Sequence, residues 1–381
     1  MDFFDNFLDD THRLLRDTCR RFAEREIAPH ALEWEEAGEF PRELYRAAAQ
    51  AGLLGAGFPE EVGGGGGGPL HVLMAIEGLM RGGSTGVVAG LTSLGIALPA
   101  VIQAGDPALI DRYVRPVLAG DLVAALAITE PGTGSDVAAV RTRAVRDGDD
   151  YIVDGAKLFI TSGVRADLLT TLVRTGPDPH GGLSFLVIEK RMPGVTVARA
   201  LRKTGWWASD TAELAFDGVR VPAANRLGPE GSGFTTLMRN FQTERLALAG
   251  IGCATARIAL EEATRYARER TAFGRPLAGF QVTRHKLAEM ATRVLAATTL
   301  TYQVALRMAR GDLVVKEVSM AKNVAAEAAI DVTSEAVQIH GGMGYMRETL
   351  VERLSRDARL LPIGGGTQEV MREIIAKTMG L

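Results

Sequence analysis

A glutamate set inside an apolar stripe carries the most chemistry in this sequence. Phe234, Leu237, Phe241, Leu248, Ile251 and Ile258 recur at three- and four-residue steps, the period of one helix face. Glu244 holds the stripe position between Phe241 and Leu248. A carboxylate there is either paired or costly, because an unpaired charge out of water is strongly unfavourable. Two roles are open to it. Burial raises a carboxyl pKa by up to ~3–5 units, which would make a base for proton abstraction near neutrality. Alternatively, an arginine from another helix forms a structural ion pair with it, since the adjacent Arg245 is expected to point elsewhere. The helix is fairly apolar on its other faces, so periodicity leaves both roles open.

Three glycine-bearing segments could receive a polar ligand. Thr129-Glu130-Pro131-Gly132-Thr133-Gly134-Ser135-Asp136 follows the apolar run Val123 to Ile128, so a strand end opens into N–H groups and hydroxyls. It does not match a dinucleotide fingerprint, and an ordinary turn fits it equally. Gly364-Gly365-Gly366-Thr367 precedes the last helix, with Thr367 as expected N-cap; it is either an anion-accepting helix start or a flexible link. Gln338 to Tyr345 reads as a glycine C-cap ending a helix. The run Gly63 to Gly68 is expected to be a mobile surface loop, because no Lys-Ser/Thr follows it and no strand precedes it.

The elements that must position these residues fall into three regions. Residues 1–120 read as an N-terminal helical domain, in which Leu14, Leu15, Cys19, Phe22, Ala23 and Ile27 recur at helical spacing. Residues 121–230 change period. Tyr151-Ile152-Val153, Asp167 to Val173, Leu183 to Ile188 and Ala212 to Val221 are short runs punctuated by Asp-Gly and Gly-Gly pairs. A small antiparallel sheet domain is expected there. Residues 231–381 return to helix, with long segments near 233–270, 279–309 and 314–340 and a short one after Thr367. The fold class is therefore α+β, with β material between two helical bundles.

Composition narrows the function. A chain of 381 residues can build a large core, and a formal charge of −3 gives no basic excess for nucleic acid. Cys19 and Cys253 are too few and too far apart for a disulfide framework, which suits a reducing compartment. The six histidines never fall at metal-ligand spacing, so no metal is expected. The acidic start at Met1 to Asp5 is unlike a transit peptide, and no uncharged stretch is expected to reach membrane-spanning length. The expected location is cytoplasmic.

Taken together, five ordered segments resemble the acyl-CoA dehydrogenases over essentially the whole chain. They are TEPGTGSD at Thr129–Asp136, KLFITSG at Lys157–Gly163, RTAFGRPLAGFQ at Arg270–Gln281, the Gln338 to Asp357 signature, and IGGGTQEVMREIIA at Ile363–Ala376. The resemblance implies that family's fold, with a C-terminal four-helix bundle, and FAD as cofactor. It implies a flavin site formed by Leu126, Ile128, Thr129, Gly134, Ser135, Phe159, Ile160 and Thr161, with Thr367 and Glu369 near the FAD diphosphate and ribose. Arg270, Phe273, Gln281, Gln338, Gly341 and Gly342 would hold the FAD of a neighbouring subunit in a homotetramer. Ser135, Gln242, Arg245, Gly364, Gly365 and Gly366 would face the acyl-CoA.

In many family members the catalytic glutamate sits where this chain has Gly365. Here the pattern is similar to the isovaleryl-CoA and long-chain branches, whose base matches Glu244 on the helix. The resemblance then implies α,β-dehydrogenation of an acyl-CoA, the Gly365 N–H as an oxyanion donor, and electron-transfer flavoprotein as acceptor. Gly364 and Gly365 lack bulk, so a branched or medium-to-long acyl chain is expected. An acyl-CoA oxidase, a dehydrogenase of carrier-protein-bound acyl groups, and a flavin-binding scaffold without turnover are the competing readings.

Overall fold

The computed structural model describes Phe4 and residues 7–381. The opening residues on which the transit-peptide reading rests lie outside that range, Phe4 apart. The chain folds as helix, sheet, helix, in the order its hydrophobic periods imply. Helix α1 (Asp10–Phe22) and helix α2 (Pro69–Leu79) pack together in the N-terminal region. Cys19, Phe22, Ala23 and Ile27 are buried as their spacing predicts, but Leu14 is 65% exposed. Leu14 stands one residue off the Leu15–Cys19–Phe22 stripe, which turns it outward.

The middle region is an eight-stranded sheet. Its strands are β1 (Ala124–Ala127), β2 (Arg143–Asp147), β3 (Asp150–Thr161), β4 (Leu168–Arg174), β5 (Leu183–Glu189), β6 (Val195–Ala200), β7 (Thr211–Pro222) and β8 (Arg226–Leu227). The order runs β6-β7-β3-β2-β4-β5-β8, with β1 beside β4. Most pairs are antiparallel; β1 runs parallel to β4, and β2 meets β4 at the single parallel pair Arg143–Arg174. Strands β2 and β6 escape a reading by hydrophobic runs because nearly all their residues face solvent.

The C-terminal region carries helix α3 (Gly233–Glu269), helix α4 (Gln281–Ala309) and helix α5 (Val315–His340), then the shorter α6 (Leu350–Ala358) and α7 (Gln368–Thr378). Helix α3 packs on α5, α4 and α6, and also on α2, so it joins the two helical regions. Its Leu237, Ile251 and Ile258 are buried, while Phe234, Phe241 and Leu248 are half-buried against the same core.

Two expectations change in three dimensions. Thr85–Ala104 is a 20-residue uncharged stretch apolar enough to cross a membrane, contrary to the expectation that none exists. It is instead broken into helices Thr85–Thr92, Leu94–Ala97 and Pro99–Ala104 and mostly buried inside the protein. The Gly63–Gly68 run is not a free loop. Gly64, Gly65 and Gly66 donate to Pro59, Gly55 and Phe58 at 2.9, 2.8 and 2.8 Å. Side chains at Gly64 and Gly67 would collide with the Phe58 and Ala56 carbonyls, so only glycine allows this close approach.

Candidate active site

Glu244 lies three turns into α3, on the face that meets the N-terminal helices. There the two regions enclose a cavity of about 300 Å³. Leu54, Phe58, Leu91, Ile96 and Ile102 line it from one side, and Thr243, Glu244 and Ala247 from α3 on the other. Glu244 is the one ionisable group on that wall among the described residues. Its side chain is half-buried by surface only because part of it faces the cavity; Oε2 is sealed and has no hydrogen-bond partner.

No ion pair to Glu244 forms among the described residues, so the structural-ion-pair role is not the one the fold adopts. Burial pushes its carboxyl up to about 7, with Arg245 and Lys322 pulling the other way. Arg245 does not swing away from the site as its sequence neighbourhood suggests. It is 4% exposed, and its guanidinium stacks over Phe241 at 5.5 Å.

The glycine turn before α7 packs directly against this carboxylate. Gly365 has φ +66°, and a Cβ built on it would collide with Leu248 Cδ1 and lie 3.5 Å from Glu244 Oε1. Gly366 has φ +100°, and a Cβ there would lie 4.0 Å from Arg245 Nη2. Both positions therefore need glycine, for backbone and for space. The Gly365 N–H makes no hydrogen bond among the described residues, so it is free to donate to a ligand. Thr367 caps α7 as expected, accepting from the Val370 N–H at 3.3 Å, and Glu369 is exposed in the first turn. Gln242 donates to Met238 within its own helix, and Thr243 rather than Gln242 reaches the cavity wall.

The TEPGTGSD and KLFITSG segments are stitched together at one end of the sheet. Leu158 N–H donates to the Thr129 carbonyl at 2.7 Å. Lys157, with no exposed surface, donates to the Ile128 carbonyl and to Glu130, each at 2.9 Å. Glu130 also accepts from the Arg141 and Thr142 N–H groups and the Thr142 hydroxyl. This buried pair was not singled out from sequence, where both residues look like ordinary polar positions in a turn and a strand.

Between Lys157 and Ile160 the β3–β7 register slips, and Phe159 emerges at φ +61° with 64% of its surface exposed. A bulky residue in the left-handed region is strained, so the bulge holds an aromatic face outward. Nearby in the same two segments, Leu126 and Ile128 pack into one apolar cluster and Ile160 into another, while Thr129 and Thr161 are half-buried. The outward Phe159 face fits a planar ring, and Gly134 and Ser135 stand exposed on the adjoining turn.

Arg270, Phe273, Gln281, Gln338, Gly341 and Gly342 are all exposed. Phe273 tips a hairpin formed by Thr271–Ala272 and Arg275–Pro276, at φ +51° and 96% exposed. Gly341 caps α5, donating to the Gln338 carbonyl. These residues meet neither the cavity nor Glu244 within the chain.

The chain is similar to known proteins over nearly its whole length. The family models for the acyl-CoA dehydrogenase N-terminal, middle and C-terminal domains match residues 9–121, 125–219 and 231–380. An acyl-CoA dehydrogenase of Bacillus subtilis is 41% identical over 367 residues, covering 96% of each chain. The long-chain specific acyl-CoA dehydrogenase of Mus musculus is 38% identical, covering 96% of this chain and 86% of that one. The crystal structure of a probable acyl-CoA dehydrogenase from Mycobacterium abscessus is 56% identical, with a TM-score of 0.97, covering 98% of this chain and 100% of that one. The chain belongs to the acyl-CoA dehydrogenases, a family of flavin-dependent oxidoreductases.

Proposed function

We propose that Glu244 is the base that removes the α-proton of an acyl-CoA whose chain lies in the apolar cavity. The observation that carries this is a sealed carboxylate without a partner, facing an apolar cavity beside a glycine with a free N–H. A thioester α-proton is only weakly acidic, so the enolate oxygen needs a donor as charge develops. The Gly365 N–H, fixed before the reaction, supplies one; such donors typically contribute about 10²–10³ in rate. With its pKa near 7, Glu244 is ionised in useful amount at neutral pH yet basic enough to accept the proton.

When bound, FAD supplies the acceptor for the β-hydrogen. Leu126, Ile128, Thr129, Phe159, Ile160 and Thr161 would hold its ring, and Thr367 and Glu369 its diphosphate and ribose end. The exposed, strained Phe273 and its neighbours Arg270 and Gln281, with Gln338, Gly341 and Gly342, suit a contribution across a subunit boundary, as a homotetramer would provide. Electron-transfer flavoprotein is the proposed partner. The absence of side chains at Gly364 and Gly365, with the depth of the apolar lining, favours a branched or medium-to-long acyl group.

Anaerobic flavin bleaching across straight and branched acyl-CoAs tests this reading. Branched or longer chains are expected to give the highest kcat/KM. Butyryl-CoA as best substrate would remove the proposed specificity, and a colourless protein would remove the flavin reading altogether.

A further inference from the structure

Lys322 lies on α5 with 1% of its surface exposed. Burying an ammonium is costly, and its one hydrogen bond among the described residues goes to the Gly366 carbonyl at 2.6 Å. The next residue, Asn323, donates to the Gln368 carbonyl at 3.3 Å. Two consecutive side chains of one helix thus grip the exit of the Gly364–Gly366 turn. The entrance is held separately, by Gly364 N–H donating to the Leu360 carbonyl at 2.9 Å. Between these points stand two glycines with left-handed backbones, which have no side chains to restrict them.

We infer that Lys322 is a positioning residue for the oxyanion donor: its bond to the Gly366 carbonyl fixes the glycine turn so that the Gly365 N–H stays presented to the thioester. The inference rests on the reading of Glu244 and Gly365 given above. Its physical basis is that a donor supplied by a Gly-Gly-Gly segment is preorganised only if something outside the segment removes its freedom. A long buried side chain ending on the turn's own carbonyl does this, and no other side chain is bonded to Gly365 or Gly366 among the described residues. The ammonium also faces Glu244 and Arg245 from α3 and Glu369 from α7. Burial and Arg245 lower its pKa to about 8, and the two carboxylates oppose them.

The test compares Lys322→Met with Lys322→Gln in the FAD-loaded enzyme. The two replacements match in length and differ in the ability to donate a hydrogen bond. Amide hydrogen exchange over 360–368 and anaerobic flavin reduction at saturating acyl-CoA are measured for both. Lys322→Met is expected to speed exchange at Gly364 and Gln368, whose N–H groups are bonded to the Leu360 and Pro362 carbonyls across the turn, and to slow reduction about 30-fold or more, while the Kd of the enoyl-CoA product changes less than about threefold. Lys322→Gln is expected to recover a large part of both losses.

Unchanged exchange in Lys322→Met, or wild-type reduction, overturns the inference. So does a Gln variant indistinguishable from Met, which would mark loss of packing rather than of the bond. Should Lys322→Met fail to fold, Asn323→Ala is read by the same exchange and is expected to loosen the same amides; no change there overturns the inference as well. Glu244→Gln, run alongside, separates the two levels. If it retains reduction the reading of the base falls, whereas the exchange result judges the turn independently.

Discussion

Replacing Glu244 by glutamine should strengthen the fold and remove the reaction at once, with a pH dependence that the structure fixes. Burial lifts the carboxyl from its ordinary 4.5 to about 7, so the folded protein holds a proton that the unfolded chain releases. Below about pH 4.5 both states are protonated, and wild type and Glu244→Gln should be equally stable in this respect. Between about 4.5 and 7 the unfolded state gains from ionising while the folded state cannot, so wild type loses ground at about 1.4 kcal/mol per pH unit. Above 7 the disadvantage levels off near an upper value of about 3 kcal/mol.

In a chain of 381 residues that is a rise of about 4 °C in Tm for the variant near pH 8, and none near pH 4.5. The assay is thermal or urea unfolding of both FAD-loaded proteins across that pH range. Anaerobic bleaching by acyl-CoA is followed in parallel, where the variant should lose about 10³-fold or more in reduction rate. Equal or lower stability of the variant at pH 8 would mean that the carboxylate is solvated or paired. Reduction at near wild-type rate would move the base to another residue.

The remaining expectations concern neighbouring positions. Gly365→Ala places a Cβ against Leu248 on a left-handed backbone, so it should destabilise by about 1–2 kcal/mol and slow flavin reduction more than it weakens substrate binding; wild-type rates would argue against a donor at 365. Gly95 lines the cavity, and a Cβ there meets nothing within 4 Å, so Gly95→Leu should fold normally while kcat/KM falls for the longest acyl chains and holds for the shortest. A uniform effect on all chain lengths would show that the chain does not pass residue 95. Asp357 is buried near Glu35 and raised to about 7, chiefly by burial. Asp357→Asn should therefore stabilise near pH 8 and not near pH 4, as read by Tm. A loss at both would give the Trp206 N–H bond to Asp357, 2.6 Å long, the larger role.

The sequence by itself determined the order of the three regions, the long C-terminal helices to within about two residues, and the inward face of Glu244. Each is a local matter: a period of 3.6 or 2, a capping threonine, an acid where the stripe demands an apolar residue. It also carried the five segments that mark the family. Other facts were out of reach of local pattern. The 20-residue stretch Thr85–Ala104 is apolar enough to cross a membrane, against the expectation from sequence, and its breaks at Ser93 and Leu98 and its burial make it a core segment. The glycine run at 63–68 reads as loose until its bonds to residues 55–59 close it against the cavity-lining segment.

Tertiary structure alone decided the setting of the acid. Glu244 could have met an arginine, and only the packing of α3 against the N-terminal helices leaves it dry and unpaired with Gly365 alongside. The residues that meet there, from 54 to 365, are separated by most of the chain. The same holds for Lys157 with Glu130 and for Lys322 with Gly366. A buried charge is defined by its partner, and the partner is chosen by the fold rather than by neighbours in sequence.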